Sequence, residues 1–286
     1  MSAPPLNRRV PLAACIIAVL TFAGMALIER VPIWAQTAGT TSTQPASVRI
    51  GPGGGYLKDR GNSRVLVFVH GFSSVPDSDF RCDGLHNWPE MIAADPDPSV
   101  AATDIYVLGY PPPPRRGKTA VVDLETAITD RLQSAGVFTR HQEVVFAAHA
   151  MGGLLIQQIL AVNSQAEWIH KVRGVFLFGT PQGTGKMSLL GRYIDADPRL
   201  KEMESNGNNF ILHPEAPLWS GIPHLCAYET LSEDGFSNLD YRRNTRGCTD
   251  QLAVHANRNN IAQPCRVDDS AYIFLEDKLR ALFPAT

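Results

Sequence analysis

The sequence predicts an α/β fold: a mostly parallel sheet flanked by helices, with a cap-like excursion. Two observations carry the prediction. From Arg64 onward, short apolar runs alternate with segments of helical periodicity, the order expected of repeated strand-helix units. The apolar runs are continuous and rich in β-branched residues, which suits strands buried on both faces of a parallel sheet.

Val65-Leu66-Val67-Phe68-Val69 is the first such run. Residues 104–110 form a second strand, stopped by the prolines at 111–114. Residues 119–134 carry Val122, Leu124, Ala127, Ile128 and Leu132 at helical spacing. Residues 143–148 are a third strand. Residues 151–162 are a helix opened by Gly152-Gly153 and apolar at Leu154, Leu155, Ile159 and Leu160. Residues 172–178 and 224–229 are a fourth and a fifth strand. Residues 270–283 close the chain as an amphipathic helix. Residues 183–221 lack a strand signal and read as the cap-like excursion. Residues 64–286 are therefore the folded domain.

Residues 1–35 read as a signal peptide or an N-terminal membrane anchor. Arg8 and Arg9 precede an uncharged, mostly apolar run at 10–28, closed by Glu29 and Arg30. Ile33-Trp34-Ala35 is a passable cleavage site, but the run is also nearly long enough to span a bilayer. Either way the charge bias directs the domain out of the cytoplasm, to the periplasm or the medium. Membrane contact is expected only through this segment, if it stays uncleaved. Residues 36–63, rich in Thr, Ser, Gly and Pro, read as a flexible linker.

Hydrophobic residues make up 44% and charged residues 19% of the 286, which excludes wholesale disorder. The net charge is −2, so no basic field invites nucleic acid. Beyond Cys15 the chain has Cys82, Cys226, Cys248 and Cys265. An even number in an oxidising compartment predicts disulfides, with three connectivities open. No His/Asp/Glu cluster at ligand spacing appears, so neither a metal nor another cofactor is expected.

The segment richest in chemistry is Val144-Val145-Phe146-Ala147-Ala148-His149-Ala150-Met151-Gly152-Gly153. A buried strand runs into a sharp turn and then a helix, with Ala148 and Gly152 two residues either side of Ala150. That is the layout of the G-x-S-x-G nucleophile elbow, whose strained centre needs small neighbours. Three more segments accompany it: strand-His70-Gly71-Phe72, Phe176-Leu177-Phe178-Gly179-Thr180-Pro181, and Ala227-Tyr228-Glu229-Thr230. Together they resemble the α/β-hydrolase superfamily, and within it lipase-like serine esterases of the group that includes the GPI-inositol deacylases.

The resemblance implies an oxyanion hole from the backbone N–H groups of Phe72 and Met151. It implies a triad acid at Glu229, with Asp234, Asp240 and Asp250 as alternatives. His70 is expected to order its loop, and His149 to fill space beside the elbow. Two positions depart from the family. Ala150 stands where the nucleophilic Ser belongs and cannot form an acyl-enzyme. Arg258 stands where the family's late His belongs, and a guanidinium stays protonated near neutral pH; His255 is the alternative base. The expectation is an exported hydrolase-fold protein, catalytically inactive as written, that binds or scaffolds an ester- or lipid-like small molecule. The alternative is an active carboxylic ester hydrolase whose nucleophile is replaced by Ala150.

Overall fold

The computed structural model describes residues 51–71, 74–111, 120–180, 221–231, 245, 247–257 and 259–283. Its centre is a seven-stranded sheet with the order β1-β3-β2-β4-β5-β6-β7. The strands are β1 (Gly54–Lys58), β2 (Arg64–Val69), β3 (Thr103–Leu108), β4 (Glu143–His149), β5 (Val172–Phe178), β6 (His224–Glu229) and β7 (Asp250–Val254). β1 pairs antiparallel with β3, and every other neighbouring pair is parallel.

The continuous apolar runs place side chains on both faces. Val65, Val67, Val69, Phe146 and Ala148 enter one core, while Leu66, Phe68, Val145 and Ala147 enter the other. All five residues of the Val65–Val69 run are fully buried, each contributing roughly 1.5–3 kcal/mol of gross apolar burial. Among the described residues two helices cover the first core: α4 (Ala120–Ser134) through Leu124 and Ile128, and α6 (Met151–Val162) through Leu154, Leu155 and Ile159. The opposite core is covered by α2 (Trp88–Ala93) through Trp88 and Ile92, and by α7 (Ser270–Leu282) through Tyr272, Leu275 and Leu279. Three further helices among the described residues are single turns: α1 (Pro76–Asp79), α3 (Pro98–Ala101) and α5 (Val137–Arg140).

Two strands depart from the sequence reading. The stretch read as linker, 36–63, contains β1. The open edge of β3 supplies its hydrogen bonds, and Tyr56 packs edge-to-face on Tyr106, directly opposite in register, with ring centroids 4.8 Å apart. β7 was not expected because only its last residue is buried. It forms because β6 offers a parallel partner from Leu225 to Glu229. The cap-like excursion at 183–221 lies outside the described residues, apart from Gly221. So does the apolar segment at 10–28. Among the described residues no helix is long and apolar enough to cross a membrane.

Both disulfides are formed. Cys82 joins Cys265 with Cα atoms 5.3 Å apart, and Cys226 joins Cys248 at 5.9 Å, within the span a bridge accepts.

Glu125 on α4 is buried, and one of its oxygens has no hydrogen-bond partner among the described residues. Burial pushes its carboxyl up to about 7, against a hydrogen bond from Gln158. A folded pKa above the unfolded one means the folded state binds the extra proton, so stability falls as pH rises from about 4.3 to about 7. Glu125→Gln is expected to remove that slope. At pH 8 the variant should be about 3–4 kcal/mol more stable than the parent, and at pH 4 nearly equal to it. Urea denaturation at the two pH values checks this.

Candidate active site

The sheet order places a crevice before any side chain is considered. From β2 the chain crosses to β3 on one side, and from β4 it crosses to β5 on the other. Loops leaving the carboxyl ends of β2 and β4 therefore diverge, and ligands of open α/β sheets bind at such a switch point. Val69 of β2 pairs with Ala148 of β4. His70-Gly71 and His149-Ala150 thus emerge side by side at that opening.

Ala150 is the turn between β4 and α6, with φ 49° and ψ −122°. It is the one non-glycine residue with positive φ among the described residues. Such a backbone costs on the order of 1–3 kcal/mol and persists only where its surroundings enforce it. Here they do. The Ala150 N–H donates to Phe178 O at 2.9 Å, and the Gly153 N–H donates to Ala150 O at 3.1 Å.

The next turn of α6 lies directly against the neighbouring loops. A Cβ on Gly152 would stand 2.2 Å from His70 O and 2.9 Å from Val69 O, both backbone atoms. Gly152→Ala must push the β2 loop off the helix, an overpacking that typically costs about 1–3 kcal/mol. The expected result is a lower urea midpoint at unchanged slope.

His70 is fully buried and stacks on Tyr110, with ring centroids 4.0 Å apart. Its Nε2 accepts from the Tyr110 N–H at 3.4 Å, so Nδ1 carries the proton and donates to Gly71 O at 2.6 Å. The Tyr110 hydroxyl donates to His70 O. Burial pushes the imidazole pKa down, against the Gly71 hydrogen bond. The ring is a neutral prop that shapes its own loop.

His149 does more than fill space. Its Nδ1 lies 2.9 Å from Asp79 Oδ2, and both side chains are buried. The same oxygen accepts the Gly71 N–H at 2.8 Å. Burial raises the Asp79 pKa, but His149 and hydrogen bonds from Ser74 and Gly71 outweigh it and hold the carboxyl below its ordinary value. Asp79 escaped the sequence reading because it belongs to no recognised segment. It is the last residue of the single turn α1, eight positions past Gly71.

Glu229 ends β6 opposite Val254 of β7. It is 6% exposed, so it is no solvated surface carboxylate. Its Oε2 has no hydrogen-bond partner among the described residues. Burial raises its pKa, opposed by its own N–H and by His149. Asp250, an alternative acid, begins β7 beside Leu225, at the far end of the ladder from Glu229, and pairs with Lys278. His255 follows β7 and is exposed. Met151 opens α6 and is buried. Phe72, Arg258, Asp234 and Asp240 lie outside the described residues. Among the described residues no group of three or more His, Cys, Asp or Glu is placed to hold a metal ion.

No protein-family model matches the chain, and no curated protein sequence matches it. Solved structures do. An arylesterase superposes with a TM-score of 0.52 at 15% identity, over 79% of this chain and 78% of that one. Carboxyl esterase 2 of the fungus Tuber melanosporum gives 0.51 at 11%, over 77% of each. An esterase/lipase from an uncultured bacterium gives 0.50 at 13%, over 80% and 81%. Identities this low speak for the fold alone. With the parallel sheet and the strained turn at its switch point, they establish that this chain has the α/β-hydrolase fold.

Proposed function

We propose that this chain is an exported protein with a serine-esterase-like site that lacks its nucleophile. It binds an ester- or lipid-like small molecule in the crevice above Ala150 and does not turn it over by acyl transfer. The observation that carries this reading is Ala150 at φ 49°. The backbone has the strained form that presents a nucleophile, on a side chain that has none. Export is supported by the two disulfides, which persist in oxidising compartments, together with the Arg-led apolar segment.

A second reading is an active carboxylic ester hydrolase whose Ser is replaced at position 150. The buried Glu229 favours it, since a carboxylate oxygen at a strand end with no hydrogen-bond partner among the described residues is an acceptor suited to a triad imidazole. The chain as it stands is expected to show no acyl-enzyme burst with a nitrophenyl ester and no labelling by a fluorophosphonate. It should still bind a long-chain ester by calorimetry. A burst or a labelled elbow peptide sinks the proposal, and so does the absence of ester binding.

A further inference from the structure

We propose that Asp79 is the positioning residue of this site: its carboxylate ties the loop after β2 to the elbow and so sets where an oxyanion is received. The proposal rests on the esterase-like reading above. It starts from a gap in the backbone. β2 and β4 are paired up to Val69 and Ala148. Beyond them the strand ladder no longer joins His70-Gly71 to His149-Ala150, yet the oxyanion donors of the family belong to these two loops. Among the described residues, a carboxylate oxygen spans the gap. Asp79 Oδ2 accepts the Gly71 N–H at 2.8 Å from one loop and faces His149 Nδ1 at 2.9 Å from the other. An ionised carboxylate has no proton to give, so His149 donates at Nδ1.

The charge matters as much as the shape. Asp79 is 6% exposed, and a carboxylate that buried is tolerated only when paired and hydrogen-bonded. Its partners are the two loops that have to be aligned. Removing it takes from the Gly71 N–H its acceptor and from His149 Nδ1 the carboxylate it faces.

The brace is anchored from outside the crevice. The Asp79 N–H donates to the O of Val75, the residue that precedes α1. The Gln263 side-chain amide donates to both Ser78 O and Asp79 O, at 3.2 Å each. Three residues past Asp79, Cys82 is bonded to Cys265. The carboxylate is thus held by the segment that leads into α7. An oxyanion hole works only with its donors about 2.7–3.1 Å from the developing charge, and a shift of about 1 Å in such groups costs about 10²-fold.

Two arms test this. In the chain as it stands, amide hydrogen exchange is followed by NMR for the parent, Asp79→Asn and Asp79→Ala. Gly71 should exchange at least about tenfold faster in Asp79→Ala and measurably faster than the parent in Asp79→Asn, whose amide oxygen is an uncharged and weaker acceptor, with Val67 and Phe146 protected as before. Asn keeps the shape of Asp and removes the charge, so it serves if the Ala variant fails to fold. In the second arm, Asp79→Asn is placed in the Ala150→Ser/Arg258→His chain. There kcat per fluorophosphonate-titrated site should fall about 10–100-fold with KM within about threefold, because oxyanion contacts strengthen in the transition state. A carboxylate that merely supports folding would lower the number of titratable sites and leave kcat per site unchanged. Unchanged Gly71 exchange, or unchanged kcat per site, overturns the proposal. If the Ser/His chain is itself inactive, the esterase reading fails separately, and the exchange arm alone upholds or overturns the brace.

Discussion

Ala150→Ser alone is expected to leave nitrophenyl-ester turnover within about tenfold of the parent chain, whereas Ala150→Ser with Arg258→His is expected to raise kcat by about 10³-fold or more. The elbow already has the backbone a nucleophile needs, so a hydroxyl at residue 150 is presented without further rearrangement. A hydroxyl alone is a poor nucleophile, because its proton must go to a base in the transition state. Arg258 cannot accept it. The pairing of Glu229 with Val254 starts the loop after β7 beside the buried carboxylate, and residue 258 is four positions further on. An imidazole supplied from that loop has an acceptor in Glu229 Oε2 to fix its tautomer. The two changes should be strongly non-additive, since the triad acts as a unit. If the Ser single variant already reaches ordinary esterase rates, His255 or another His is the base and the inactive-protein reading falls. If the double variant stays inactive, the esterase-like reading of the site fails.

The parts of the site legible in the sequence are those whose physics is local. Val65–Val69 and Val144–Ala148 read as strands because burial on both faces demands unbroken apolar runs, and Ala150 reads as the elbow because its small neighbours are adjacent in the chain. β7 was hidden for the opposite reason. Asp250, Gln251 and Ala253 are not buried, so no apolar run marks it, and only the free edge of β6 makes it a strand. β1 was masked by glycines that elsewhere mark linkers. Asp79 could not be found by motif at all. Its meaning comes from an oxygen meeting Gly71 and His149, the latter 70 positions later in the chain. Likewise the sequence counted the cysteines, but pairing Cys82 with Cys265 across 183 positions required the segment before α7 to lie against α1, where Gln263 bonds Ser78 O and Asp79 O.

That long bridge is the basis of the second large effect. Replacing Cys82 and Cys265 with Ala is expected to lower the unfolding free energy by about 5 kcal/mol, against about 3 kcal/mol for Cys226 and Cys248. The difference follows from chain entropy. One bridge closes a loop of 183 positions and the other a loop of 22, and the unfolded chain gains more freedom when the longer one opens. For a domain of this size each kcal/mol moves the melting temperature by about 2–4 °C, so the first variant should melt roughly 10–20 °C lower and the second roughly 6–12 °C lower. Calorimetry on the oxidised parent and the two variants reads both shifts, and equal or inverted losses would show that native packing, not loop closure, governs them. Below its lower melting point the Cys82/Cys265 variant should also differ in kind. α1 would keep Gln263 as its tie to the α7 segment but lose the covalent one. The Asp79 carboxylate that α1 carries would then hold Gly71 less firmly. Gly71 exchange should accelerate in this variant and stay unchanged when Cys226 and Cys248 are replaced, since that bridge lies within β6 and the approach to β7 and leaves α1 untouched.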